Sequence, residues 1–188
     1  MDRRDFLRRG IGKVSEAAVK QADARVAERV NWFRPPFALP ELEFLLACTR
    51  CDACREACPH GVIFPLAVRL GAELVGTPAL DLLNRPCHLC ADWPCVQACE
   101  PKALQLPEAE QPAMPKLALI SINTESCLPY LGPECGACRD SCPVDNALQW
   151  QAERPVINTD NCTGCALCRE ACVVEPKAIE LKIRSNSA

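Results

Sequence analysis

The stretch that decides the fold runs from Cys48 to Pro59 and reads CTRCDACREACP, which is the spacing C-x2-C-x2-C-x3-C-P. Cysteines in this spacing bind [4Fe–4S] clusters, and the fourth cysteine ligates the second cluster of a pair. The first three thiolates can close on one face of a small cubane, while the fourth points away toward a neighbour. Two such runs that exchange their fourth ligands hold two clusters, so this stretch predicts half of a two-cluster unit.

The same pattern occurs three more times along the chain. The second run has two extra residues before its third cysteine, the third run has a longer gap after its first cysteine, and the fourth run repeats the original spacing. Every one of the 16 cysteines belongs to a run, so the sequence predicts four [4Fe–4S] clusters in two pairs. The predicted ligands are Cys48, Cys51, Cys54 and Cys58, then Cys87, Cys90, Cys95 and Cys99, then Cys127, Cys135, Cys138 and Cys142, and finally Cys162, Cys165, Cys168 and Cys172.

Disulfides and structural zinc are the alternatives for so many thiols. A compact C-x2-C-x2-C run holds too many thiols to pair sensibly within itself. Structural zinc usually takes two CxxC hooks rather than four-cysteine runs that end in proline. Four complete runs therefore favour iron–sulfur chemistry, and thiols that must stay reduced until the clusters are inserted favour assembly in a cytosol.

Length and charge exclude several kinds of function. The 188 residues suit one compact domain or two small ones that share an interface. The net charge is −3, and residues 1–35 hold nine Lys and Arg against five Asp and Glu, a net of +4 that leaves −7 for the remainder. Bound clusters would make that remainder more acidic still. Nothing in this distribution predicts a nucleic-acid partner.

The N-terminal segment carries a separate signal. The stretch from Arg3 to Arg9 reads RRDFLRR and resembles the start of a twin-arginine export signal, but charged residues interrupt the apolar stretch that such a signal needs. Apolar residues at steps of three or four instead predict a basic amphipathic helix over residues 4–33. This helix would contact a membrane surface or a partner, or alternatively pack on the protein's own body. We place a domain boundary after residue 35, which separates the helix and its linker from a four-cluster body at 36–188.

Hydrophobic patterns and proline positions predict short elements between the runs. We expect helices at 41–47 and 66–75, a strand pair formed by 103–106 with 117–123, strands at 147–151 and 155–159, and an edge strand at 179–183. The stretches INTESC at 122–127 and INTDNC at 157–162 form an internal repeat in which a short strand and a polar turn lead to the first ligand of a run.

Few other residues carry chemistry. His60 and His88 lie beside predicted ligands and would either tune a cluster or remain partly exposed side chains. Trp93, Tyr130 and Trp150 are expected to shield clusters from water. The sequence has no Gly-rich phosphate loop, no Ser/His/Asp set and no place for flavin or nicotinamide, so we expect an electron carrier without a small-molecule substrate, not an enzyme.

The order of the motifs is similar to that of a known family. Arg34-Pro35-Pro36, Gly76-Thr77-Pro78 before the second run, the four cysteine spacings, and PKAI at 176–179 resemble the ferredoxin-type NapG/MauM proteins, and the related NapF type is similar. The resemblance covers residues 34–183. It implies an α+β fold of two ferredoxin-like bis-[4Fe–4S] modules with short β-hairpins and helices, to which this chain adds the N-terminal amphipathic helix.

The resemblance also implies a function. We expect a polyferredoxin that relays electrons through four [4Fe–4S] clusters between a membrane quinol-oxidising partner and a terminal reductase, such as a molybdenum enzyme, or a dehydrogenase. The alternative is an iron–sulfur assembly or maturation factor for a partner oxidoreductase. We expect a cytoplasmic protein at the inner membrane surface, and the alternative is a periplasmic protein exported by a degenerate twin-arginine signal.

The pairing of the runs has two solutions. In the sequential order, the first run pairs with the second and the third with the fourth. In the nested order, the first pairs with the fourth and the second with the third. The Trp93-Pro94 insertion in the second run resembles the iron–sulfur subunits of molybdenum oxidoreductases, which nest, and this favours the nested order.

Overall fold

The computed structural model describes residues 32–108 and 113–184, and it consists of short helices and strands joined by cysteine-rich loops. The predicted α+β class is confirmed at this level. The helices are α1 Glu41–Ala47, α2 Ala53–Glu56, a 3-10 turn Val68–Leu70, α3 Pro94–Gln97, α4 Leu128–Leu131 and α5 Leu167–Ala171. The strands are β1 Ile63–Pro65, β2 Pro78–Leu80, β3 Leu119–Ile122, β4 Leu148–Gln151, β5 Arg154–Ile157 and β6 Ile179–Lys182.

The strands form three antiparallel pairs, β1 with β2, β3 with β6, and β4 with β5. The tight β4–β5 pair agrees with the two strands predicted at 147–151 and 155–159. The predicted strand at 103–106 is wrong, because Leu104 forms only an isolated bridge with Ala38. The segment 117–123 instead supplies β3, whose partner is the C-terminal strand β6, with Ile122 opposite Ile179. In β6 the apolar residues Ile179 and Leu181 alternate with polar ones, so β6 offers β3 better cross-strand contacts than residues 103–106 would.

Helix α1 is the one predicted helix that the structure contains with its expected bounds. It follows Pro40, and Glu41 and Glu43 in its first turn complement the positive end of the helix dipole. Phe44 on its inner face is fully buried. The helix ends where the backbone N–H of Cys48 donates a hydrogen bond to the Phe44 carbonyl, so α1 places the first ligand of the first run directly.

The helix predicted at 66–75 is wrong, because this segment is a closed loop between β1 and β2. Leu66 exchanges backbone hydrogen bonds with Gly76 and Thr77, which draws the two ends of the loop together. Gly71 interrupts the segment with a φ of +108°, a conformation that glycine adopts without a Cβ penalty. Only one 3-10 turn fits within this closure.

Arg34 ties the start of the described chain to this loop. Its guanidinium donates from Nε to Glu41 Oε2 at 3.0 Å and from Nη1 to Thr77 Oγ1 at 3.0 Å. Glu41 is only 7% exposed, and the guanidinium also lies 4.5 Å from the centre of the Phe44 ring. The RPP and GTP motifs of the sequence therefore meet in space around one buried ion pair.

The two halves of the cysteine-rich body contact each other through backbone. The Leu117 N–H donates to the Thr163 carbonyl at 2.6 Å, and the Cys87 N–H donates to the Cys165 carbonyl at 2.9 Å. One buried hydrophobic cluster contains Cys54 and Cys95 from the first half together with Cys165 from the second. The halves thus share a continuous core.

Within the described residues, no helix has the length and apolarity needed to cross a membrane. The prediction of an amphipathic helix at 4–33 falls almost entirely on residues 1–31, which lie outside the described residues, and the domain boundary after residue 35 depends on the same segment. Both stay predictions.

Candidate metal centre

The structure gathers all sixteen cysteines into four cavities, each lined by four thiols. Each cavity contains about 300 to 380 Å³ of space not occupied by atoms, including open solvent at its mouth. We call them site I with Cys48, Cys51, Cys54 and Cys99, site II with Cys58, Cys87, Cys90 and Cys95, site III with Cys127, Cys135, Cys138 and Cys172, and site IV with Cys142, Cys162, Cys165 and Cys168.

Each site combines the first three cysteines of one run with the fourth cysteine of another. The first and second runs exchange Cys58 and Cys99, and the third and fourth runs exchange Cys142 and Cys172. The exchange of fourth ligands is the one that the spacing predicts. The nested pairing favoured by the Trp93-Pro94 insertion is wrong, because the runs pair in chain order. The helices α2 and α3, which carry Cys54 and Cys95, contact each other and bring the first two runs together.

The backbone of three runs has a common left-handed pattern around the second cysteine. The residue immediately before that cysteine has a positive φ in each case, namely Arg50, Leu89 and Gly164. The residue two positions before the third cysteine also has a positive φ in each of these runs, namely Asp52, Trp93 and Ala166. Left-handed residues in such loops turn successive N–H groups toward one side and make an anion-binding concavity. This backbone suits a group with a net negative charge.

The internal repeat found in the sequence is also a structural repeat. The side chain of Asn123 accepts a hydrogen bond from the Glu125 N–H at 2.9 Å, and Asn158 does the same for Asp160 at 3.0 Å. In both turns, the N–H of the first cysteine of the run donates to the asparagine carbonyl. Asparagine side chains commonly close such turns. These two turns place Cys127 and Cys162 at equivalent positions.

Burial and mutual repulsion make the thiols hard to ionise without a bound cation. Burial, followed by repulsion from Cys99, Cys48 and Cys51, raises the pKa of Cys54 from 9.0 to about 11. The same causes raise the pKa of Cys95 to about 12 and also raise the pKa of Cys168. The repelling thiols are mainly members of the same site. Bound iron would supply the positive charge that four converging thiolates need, and its binding would release protons.

The geometry favours a cluster over the two alternatives weighed from the sequence. All sixteen cysteines are described, and all are free thiols. A single zinc ion needs four sulfurs about 2.3 Å from one point. No group of three or more His, Cys, Asp or Glu side chains among the described residues converges closely enough to hold a single metal ion. Four thiols that line one cavity and come from runs with ferredoxin spacing fit a [4Fe–4S] cluster at each site.

Contacts between neighbouring segments link the four sites in series. Site I meets site II where helices α2 and α3, which carry Cys54 and Cys95, contact each other. Site II meets site IV where the Cys87 N–H bonds to the Cys165 carbonyl. Site IV meets site III where Cys138 packs against the buried cluster that contains Cys168. The contacts give the order I, II, IV, III, with sites I and III at the two ends.

The aromatic and histidine candidates lie around these sites. Trp93 lines site II and Trp150 lines site III, as expected for shielding residues. Tyr130 does not line a site, and its hydroxyl donates to the Pro155 carbonyl at 2.9 Å. His60 and His88 line site II and stack on each other with ring centres 3.6 Å apart. Both histidines are exposed, and a role in tuning the cluster stays a prediction.

Two features of the sites have no counterpart in the sequence interpretation. The backbone N–H of Leu104 donates to the Cys99 sulfur at 3.3 Å, which gives site I a hydrogen bond from the protein backbone. The Arg34 contacts to Glu41 and Thr77 hold the segment that leads into Cys48. The only signal for Arg34 and Thr77 was their membership of two short motifs.

Comparison with known protein families finds a model described as a 4Fe-4S dicluster domain, which matches residues 119–173. This segment contains the third and fourth runs, and the structure pairs the same two runs in sites III and IV. No solved structure gives a significant match to the chain.

Named relatives cover most of the chain. A methylamine utilization ferredoxin-type protein MauM from Methylorubrum extorquens is 34% identical over 95% of this chain and 88% of the relative. A ferredoxin-type protein NapG from Escherichia coli is 34% identical over 95% of this chain and 84% of the relative. A ferredoxin-type protein NapF from Escherichia coli is 32% identical over 77% of this chain and 82% of the relative.

Proposed function

The chain belongs to the family of ferredoxin-type NapG and MauM proteins, and from this premise we propose that it is a relay for single electrons with four [4Fe–4S] clusters. An iron–sulfur electron-transfer role follows from the relatives and the dicluster domain. The number of clusters, their ligands and their order along a path are the parts we propose. The observation that supports this proposal is that the sixteen thiols line four sites of four, and contacts link these sites in the order I, II, IV, III.

The proposed ligands of each cluster are the four cysteines of sites I to IV. When bound, each cluster supplies a one-electron redox centre whose potential depends on hydrogen bonds, charge and exposure. The chain contributes left-handed loops that direct backbone N–H groups, a shared core that excludes water, and exchange of the fourth cysteine that keeps the two sites of a pair adjacent.

The contact between Cys87 and Cys165 makes one path out of two pairs. Electron transfer between fixed centres falls steeply with distance, so a relay needs every centre to have a close neighbour. The hydrogen bond between these two backbones joins site II to site IV without an intervening side chain. Site I, which includes the exposed Cys51, and site III at the opposite end are the places where we propose that partners exchange electrons.

We propose as partners a membrane quinol-oxidising protein on one side and a terminal reductase or dehydrogenase on the other, which the family resemblance supports. We further propose that the protein acts in the cytoplasm at the inner membrane surface. The residues that would decide how the chain reaches that surface lie within 1–31, outside the described residues.

Anaerobic purification with iron and sulfide analysis tests this proposal directly. We expect about 16 iron and 16 sulfide per chain. A potentiometric EPR titration should then show reversible reduction without loss of iron. Zinc in place of iron, or fewer than four clusters after complete loading, would contradict the proposal.

The same preparation distinguishes a relay from an assembly factor. Protein loaded with 57Fe is incubated with an apo-ferredoxin and separated, and the label in each fraction is measured. A relay retains its label through repeated reduction and oxidation. Transfer of most of the label to the apo-ferredoxin would favour the assembly function instead.

A further inference from the structure

The indole of Trp150 has an unusual position at site III. Trp150 lies in β4 and lines the same cavity as the four thiols of site III. Its Nε1 is buried, and no acceptor among the described residues lies within hydrogen-bond distance. Buried N–H groups in proteins almost always have a partner. An unpaired indole donor at the wall of a thiol-lined cavity therefore points to an acceptor that belongs in that cavity.

The other tryptophans differ in this respect. Trp32 is the second residue with a buried and unpaired Nε1 in the described part of the chain, but it lines a cavity that contains no cysteine. Trp93 lines site II, and its Nε1 is not among the buried unpaired atoms. Trp150 alone among them combines a buried, unpaired donor with a position at a proposed cluster site.

The residues around Trp150 hold its ring but offer it no acceptor. Across the β4–β5 pair it faces Pro155, whose carbonyl already accepts from Tyr130. The Arg139 guanidinium lies 4.4 Å from the ring centre, and it is held in turn by Glu153 at 2.9 Å. A cation on the face of an indole stabilises the ring without using its N–H. The position of the ring is thus fixed while its donor remains available.

We propose that the Trp150 indole N–H donates a hydrogen bond to a sulfur of the cluster at site III and thereby raises the reduction potential of that cluster. The proposal rests on the proposed function, because it requires a cluster at this site. Reduction adds negative charge to the cluster, so a donor to its sulfur stabilises the reduced form more than the oxidised form. Trp150 is then a residue that sets the potential at one end of the row.

The first test is Trp150→Phe, measured by potentiometric EPR on the fully loaded chain. We expect the potential of one cluster to fall, with about a tenfold lower ratio of reduced to oxidised form at fixed potential, which is about 59 mV for one electron. The other potentials should stay where they are. The affected signal should be the one that disappears when Cys135→Ala removes the cluster at site III. Trp93→Phe is the matched control and should shift no potential at site III.

The second test detects the hydrogen bond in the wild-type chain and does not depend on correct loading of Trp150→Phe. Growth with 15N-labelled tryptophan places 15N in the indole, and pulsed EPR on the reduced protein should show a hyperfine coupling to it. A coupling that is present in wild type but absent from Trp93→Phe would assign it to the wrong tryptophan and overturn the inference. Unchanged potentials in Trp150→Phe, together with no coupling in a chain that holds all four clusters, would also overturn it. A wild-type chain without iron would overturn the proposed function as well.

Discussion

Gly164 lies so close to Ala118 that a Cβ atom on the glycine would come within 2.2 Å of the Ala118 carbonyl oxygen. Gly164 also has a φ of +77°, which disfavours a side chain for a second reason. This contact joins the loop of the fourth run, which supplies site IV, to the segment that leads into β3. We therefore expect Gly164→Ala to destabilise the folded chain by at least about 3 kcal/mol and to prevent loading of site IV.

Two other glycines separate the causes of that effect. Gly76 has a φ of +76°, but its nearest neighbour is the flexible Arg50 side chain at 3.5 Å, so Gly76→Ala should cost only about 1 kcal/mol. Gly136 has nothing within 4 Å and no positive φ, so Gly136→Ala should be nearly neutral. Iron analysis and anaerobic chemical denaturation measure the three variants. Equal losses in all three would mean that close backbone contact is not the cause.

The buried ion pair of Arg34 with Glu41 gives a second prediction. Arg34→Met leaves the Glu41 carboxylate buried without its partner, and it also removes the donor to Thr77. Because breaking one half of a buried pair is costly, we expect a loss of about 3 to 5 kcal/mol in the free energy of unfolding. Far-UV circular dichroism during anaerobic guanidinium titration measures the change.

The exposed pair of Arg55 with Asp52 is the matched control. Their side chains are 44% and 37% exposed, so Arg55→Met should cost less than about 1 kcal/mol. The double variant Arg34→Met with Glu41→Met should recover part of the loss, since no charge is then left unpaired. If the double variant lost more free energy of unfolding than the two single variants lost together, the ion pair would not explain the effect.

The exchange of fourth cysteines predicts the outcome of paired substitutions. Cys48 and Cys99 belong to site I, so Cys48→Ala with Cys99→Ala should remove one cluster and leave about three. Cys48 and Cys58 belong to the same run but to sites I and II, so replacing both should leave about two. Iron, sulfide and EPR analysis count the clusters. In the nested order, the first double variant would lose two clusters instead of one.

The row of sites predicts which clusters interact magnetically. Cys90→Ala disturbs site II and should isolate site I, which would then give an uncoupled EPR signal in the fully reduced chain. Cys135→Ala disturbs site III at the end of the row and should leave no isolated cluster. Uncoupled signals from both variants, or from neither, would be inconsistent with the order I, II, IV, III.

Local patterns explain why much of the site was predictable. The four cysteines of each run lie close together in the sequence, at the ferredoxin spacing or a variant of it, so the runs identify the sixteen thiols without any knowledge of the fold. The Asn123 and Asn158 turns and helix α1 are likewise set by neighbouring residues. Predictions that depended on contacts between distant segments did less well. The predicted strand at 103–106 is only an isolated bridge from Leu104 to Ala38, and the predicted helix at 66–75 is a closed loop.

The sequence alone thus determined the proposed ligand set, the repeated loops and the family, because each depends on residue types at short spacing. Tertiary structure decided which runs share a site, since the fourth cysteine of a run can reach any neighbour that packing brings to it. It also decided the order of the sites, through the Cys87 contact with Cys165 and the absence of a side chain on Gly164. Those contacts join segments about 50 to 80 residues apart, and long-range packing of that kind has no signature in local spacing.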